Sequence, residues 1–124
     1  MELLEIYGDE RGETHFRKSD VELNLRDFAP PSAPLEISAE IPATTSLFLV
    51  APPGWDDAVH PSPRQQFAIL LDGMLQVTLT DGESTMMKPG DIVLLNDQDS
   101  KGHLSQVRGD RPTRFLLVGC GEES

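Results

Sequence analysis

The stretch HPSPRQQFAILLDG at residues 60–73, followed by MLQVTLTDGESTMMKPGD at 74–91 and IVLLNDQDSKGH at 92–103, decides the fold. Residues 65–71 form a nearly continuous apolar run closed by Asp72-Gly73, the pattern of a strand covered on both faces. Residues 74–80 then alternate, with Leu75, Val77 and Leu79 on one face. Asp81-Gly82 predicts a type I′ hairpin turn, because both residue types tolerate positive φ. Residues 84–88 return, Pro89-Gly90 turns the chain into residues 91–95, and a polar loop at 96–102 leads to a strand over 103–108. A strand that starts at His103 turns His103, Ser105 and Val107 to one face.

Working outward, the last strand spans 113–119 and an earlier one spans 46–51, closed by Pro52-Pro53-Gly54. Val21, Leu23 and Leu25 alternate with Glu22, Asn24 and Arg26, predicting a half-buried strand and an exposed edge over 21–28. The proline-rich connector at 29–34 is extended. No segment has helical periodicity. About ten short strands with regular turn signals predict an all-β sandwich or barrel.

The 124 residues suit one domain, 1–124, with a core barrel at roughly 44–119 and strands in 1–43 packing on it or on a partner. Asp plus Glu number 21 against 10 Lys plus Arg, a net charge of -11, which repels nucleic-acid phosphates and anionic membranes. Cys120 is the single cysteine, so no intrachain disulfide forms, and no cationic cluster in the sequence activates its thiol. The start, MELLEIYGDE, has neither a basic segment nor a long apolar run, so a cytoplasmic protein is expected.

The progression PRQQF, LDG, DGE, PGD and DSKGH, together with GETHF at 12–16, resembles the small single-domain bacterial members of the cupin superfamily. That resemblance implies a single jelly roll, or double-stranded β-helix, with a pocket inside the barrel. The family's first motif commonly supplies two histidines and a glutamate, and its second motif one more histidine. By resemblance, those positions fall here on His60, Ser62, Gln66 and His103. An amide and a hydroxyl thus replace a carboxylate and an imidazole. Divalent Fe, Mn, Ni or Zn is held best by imidazole nitrogens and carboxylates, so this set predicts a weak site or none, unless His15 completes it.

Each candidate has a plainer reading beside the functional one. His60 either ligates a metal or caps a loop. His103 either faces the pocket or is a hydrogen-bonded core residue. Gln66, on the face of Ala68 and Leu70, either lines the pocket or bonds a neighbouring strand. Arg64 either clamps a substrate carboxylate or pairs with an acidic side chain. Trp55 either covers a ligand or plugs the barrel end. Asp97 or Asp99 either orients His103 or serves its loop. Three functions remain open: a metal-dependent dioxygenase, isomerase or lyase acting on a small molecule; a metal-free ligand-binding or sensing module; and metal-free acid–base catalysis by His103 or His60. The resemblance and the exposed edge at 21–28 together imply a homodimer.

Overall fold

The computed structural model describes residues 1–55 and 58–120. Eleven strands form among them: β1 Glu2–Gly8, β2 Thr14–Asp20, β3 Asn24–Arg26, β4 Leu35–Ile37, β5 Thr45–Ala51, β6 Gln66–Asp72, β7 Met74–Leu79, β8 Ser84–Met87, β9 Ile92–Asn96, β10 His103–Arg108 and β11 Thr113–Gly119. Six of them make one sheet in the order β2-β1-β9-β6-β11-β5, three make a second in the order β10-β7-β8, and β3-β4 form a separate pair. No helix long and apolar enough to cross a membrane occurs among the described residues.

The two main sheets meet through the inward side chains of alternating strands. Ile6 on β1, Leu70 on β6, Val93 on β9 and Phe115 on β11 face Leu75, Val77 and Leu79 on β7, Met87 on β8 and Val107 on β10 in one core. Ile6 and Leu70 are fully buried, which stabilises the barrel by about 1.5–3 kcal/mol each.

The β7–β8 turn differs from the expected two-residue type. Only Gly82 takes positive φ (92°), and no non-glycine residue does, which excludes a type I′ turn at Asp81-Gly82. The Gly82 amide donates to the Leu79 carbonyl and the Leu79 amide to Glu83. The loop is therefore Thr80-Asp81-Gly82, a three-residue hairpin with the left-handed glycine last.

The half-buried strand expected over 21–28 is also corrected. Only residues 24–26 are extended and paired, against β4, and Leu25 is 70% exposed. Alternation identifies an extended segment, but of its apolar side only Val21 is half-buried, while Leu23 and Leu25 remain exposed among the described residues.

Candidate functional site

Between the two sheets lies a cavity of about 290 Å³. Its walls are mostly aliphatic: Ile6, Leu49, Ala68, Leu75, Val77, Met87, Val93, Leu95, Phe115 and Leu117 all contribute. The polar lining consists of His60, Ser62, Gln66, His103, Ser105 and Thr113, and Trp55, 37% exposed, also borders the space. Among the described residues no Asp, Glu, Lys or Arg side chain lines it.

His60 and His103 meet through the backbone. Each donates its amide to the other's carbonyl, at 3.2 Å from His60 and 3.0 Å from His103. Gly102 makes this approach possible. Its φ is +97°, and a Cβ there would lie 2.0 Å from the His60 carbonyl carbon. The two imidazoles consequently sit with ring centroids 5.6 Å apart, tilted by 48°.

Hydrogen bonds set the presentation of each ring. His103 Nδ1 lies 2.7 Å from Asp97 Oδ2, and Asp97 is 1% exposed. The Ser62 amide donates to the other oxygen of that carboxylate at 3.2 Å. With Nδ1–H donated to the carboxylate, neutral His103 carries its lone pair on Nε2. That atom makes no hydrogen bond to the described residues. Asp97 thus orients His103, a role the sequence left open between Asp97 and Asp99. His60 Nδ1 donates to the Pro61 carbonyl at 2.9 Å.

Gln66 is 9% exposed, lines the cavity, and its side-chain amide bonds no described residue. Its amide is therefore left for whatever enters. Ser62 spends its hydroxyl donating to the Arg64 carbonyl at 2.6 Å. The sequence reading passed over Thr113, a fully buried residue whose Oγ1 has no hydrogen-bond partner. Its parity with Phe115 and Leu117, both cavity residues, was the available signal.

Two candidates go elsewhere. Arg64 lies outside the cavity lining, with its Nη1 donating to Thr45 Oγ1 at 2.7 Å beside Gly119. His15 also lies outside it, held on one nitrogen by Asp9 (2.7 Å) and on the other by Asp81 (2.9 Å). Its imidazole pKa is raised by the Asp9 hydrogen bond, then by Asp81, against an opposing effect of burial. His15 therefore cannot complete a ligand shell with His60 and His103. Two imidazoles, an amide and a committed hydroxyl, with no carboxylate, do not fit a divalent transition metal. No cluster of three or more His, Cys, Asp or Glu side chains placed to hold one occurs among the described residues.

Residues 47–119 match the family model described as "Cupin domain". A search of curated proteins found no significant match. Among solved structures, an uncharacterized conserved protein with a double-stranded β-helix domain from Klebsiella pneumoniae is 22% identical. The match covers 87% of this chain and 85% of that one, with a TM-score of 0.52. The Schizosaccharomyces pombe Cnp3 cupin domain is 14% identical over 87% of this chain and 73% of that one, TM-score 0.49. A putative ethanolamine utilization protein from Salmonella typhimurium is 20% identical over 97% and 95%, TM-score 0.41. The Klebsiella likeness speaks to the fold alone. The family model spans more than half of the sequence and falls on seven of the eight strands that line the cavity, all but β1, and so this chain belongs to the cupin family.

Proposed function

We propose that the barrel binds a small, uncharged, mainly apolar molecule carrying one hydrogen-bonding group, without a metal. The observation that carries this reading is the lining itself: aliphatic walls, no charged side chain among the described residues, and an amide and a bare imidazole nitrogen as anchors. Burying an ionised carboxylate or phosphate there without a countercharge would cost several kcal/mol. A hydroxyl on the ligand instead donates to His103 Nε2, and Gln66 supplies a donor or acceptor beside it.

A second reading, proton transfer to or from such a molecule, is favoured by one feature. The Asp97 carboxylate, 2.7 Å from Nδ1, fixes the His103 ring and leaves Nε2 without a hydrogen-bond partner among the described residues, the orientation a general base requires.

Thermal-shift and calorimetric titration against matched phenols, alcohols and carboxylic acids tests the binding reading. Neutral compounds should raise the melting temperature and carboxylates should not. His103→Ala should weaken the best neutral ligand about tenfold, the worth of one hydrogen bond. Preference for the carboxylates, or unchanged affinity in His103→Ala, would overturn the assignment. Conversion of the bound compound, followed by mass spectrometry, would select the catalytic reading.

A further inference from the structure

The cavity is polar at one end and aliphatic at the other. Gln66, at the start of β6, registers with Leu95 on β9. Asp97, just past the end of β9, holds both His103 and the Ser62 amide. His60 bridges to His103, so the Gln66 amide and both imidazoles share this end. The opposite end lies where β6 turns into β7. Leu75 registers there with Met87, and Phe115 with Leu70 near the end of β6. Leu75, Met87 and Phe115 are all buried. The Trp55 carbonyl accepts the Val107 amide, and Val107 registers with Leu75, which puts Trp55 at this aliphatic end. Thr113 stands here too, beside Gly73, but its hydroxyl oxygen is sealed in the wall.

The space between the two ends is long and narrow. On β11 the lining runs from Thr113 through Phe115 to Leu117, and Gln66 lies opposite Gly119. At a rise of about 3.3 Å per residue, that is a length of roughly 13–20 Å. A volume of about 290 Å³ over this length leaves a cross-section on the order of 20 Å², room for one extended hydrocarbon chain. The same volume is about twice the ~150 Å³ that takes one benzene ring, which corresponds to about ten to twelve non-hydrogen atoms. We infer that the ligand is an unbranched aliphatic alcohol of medium chain length, bound with its hydroxyl at His103 and Gln66 and its tail running to Trp55. This inference rests on the neutral-ligand reading above and adds an orientation, a shape and a length to it. In this pose the hydroxyl donates to His103 Nε2 and pairs with the Gln66 amide. The tail passes Ala68, Val77 and Val93, gaining affinity with each methylene it buries. Trp55 closes the far end and sets the longest chain that fits.

Equilibrium dialysis of the full chain against the series from 1-butanol to 1-dodecanol tests this, together with tryptophan fluorescence, since Trp55 is the single tryptophan. Affinity should rise about fourfold per added methylene and level off at about ten carbons. The Trp55 emission should shift to the blue with the longer chains only, because the short ones stop before they reach it. 1-Adamantanol, with the carbon number of 1-decanol in a globular shape, should bind roughly tenfold more weakly than 1-decanol. Trp55→Ala, at a position 37% exposed, should keep the wild-type circular dichroism spectrum and move the levelling-off to longer chains. His103→Ala should weaken every chain length by the same factor and leave the gain per methylene unchanged. Equal binding of 1-adamantanol and 1-decanol, or an emission shift already complete with 1-butanol, would overturn this inference and leave the neutral-ligand reading standing. A levelling-off unmoved in folded Trp55→Ala would do the same. Failure of every neutral alcohol and phenol to bind would overturn both.

Discussion

His103 and His15 show how far a side chain's chemistry is set by residues distant in sequence. His103 is buried against one carboxylate and presents a nitrogen to an apolar cavity. His15 lies between two carboxylates, 31% exposed, and ties the β1–β2 hairpin to the β7–β8 turn. Its folded pKa is raised above the ordinary 6.5, so its ion pairs stabilise the fold fully below about pH 6.5. That contribution is lost as pH rises through the raised value. Asp9, whose pKa His15 lowers, gives a contribution that is lost as pH falls through its own value. The melting-temperature difference between wild type and His15→Gln should therefore be largest at about pH 5–6 and shrink as pH rises above about 6.5 through the raised value. A difference that grew with pH would refute the ion-pair role. The placement of Gln66 and His103 was legible because strand parity alone puts them on an inner face. The destinations of His15 and Arg64 were not, because Asp81 is 66 residues from His15 and Thr45 is 19 from Arg64.

Among the elements, β7 and β10 stood out in the sequence by alternation, and β6 as an apolar run closed by Asp72-Gly73, although β6 is covered on one face rather than both: Gln66, Ala68 and Leu70 are buried while Leu71 is 47% exposed. β1 did not stand out. Its run ELLEIYG places a charged Glu5, 5% exposed, in the middle of what would otherwise be an apolar strand. Arg17 (2.7 Å) and Asn96 (3.0 Å) satisfy that carboxylate, and the Arg17 contact leads in holding its pKa below the usual value. Neither partner is visible from the local pattern. The junction of His60 with β10 depends instead on a single glycine. Gly102→Ala should destabilise the protein by about 2 kcal/mol or more, since it adds both a clash and a strained φ. Chemical denaturation measures this loss. The same variant should lose ligand affinity, as the two imidazoles separate. A change below about 0.5 kcal/mol would mean that the loop simply shifts.

Across the whole molecule, composition and turn spacing were enough for an all-β barrel, and the order of the motifs for its family. The content of the barrel was less legible. A motif comparison counts ligand positions, whereas the cavity's character comes from side chains of eight strands converging on one space. That convergence predicts a metal-independent protein. Untagged material purified without chelator should hold well below one equivalent of transition metal by elemental analysis. A chelator should leave its melting temperature unchanged. Close to one equivalent of metal, with a melting temperature that falls on chelation, would mean that the donor set is completed by groups other than those lining the cavity.

The parallel pairing of β1 with β9 has a consequence for synthesis. Leu4 registers with Val93 and Tyr7 with Asn96, so β1 finds its inner neighbour only after about 90 further residues have been translated. At ordinary elongation rates this is on the order of ten seconds after β1 leaves the ribosome. Until then the β1–β2 hairpin displays Ile6, later the heart of the barrel, to the surrounding solution. The nascent chain is thus most open to aggregation, and to chaperone capture, until β9 emerges.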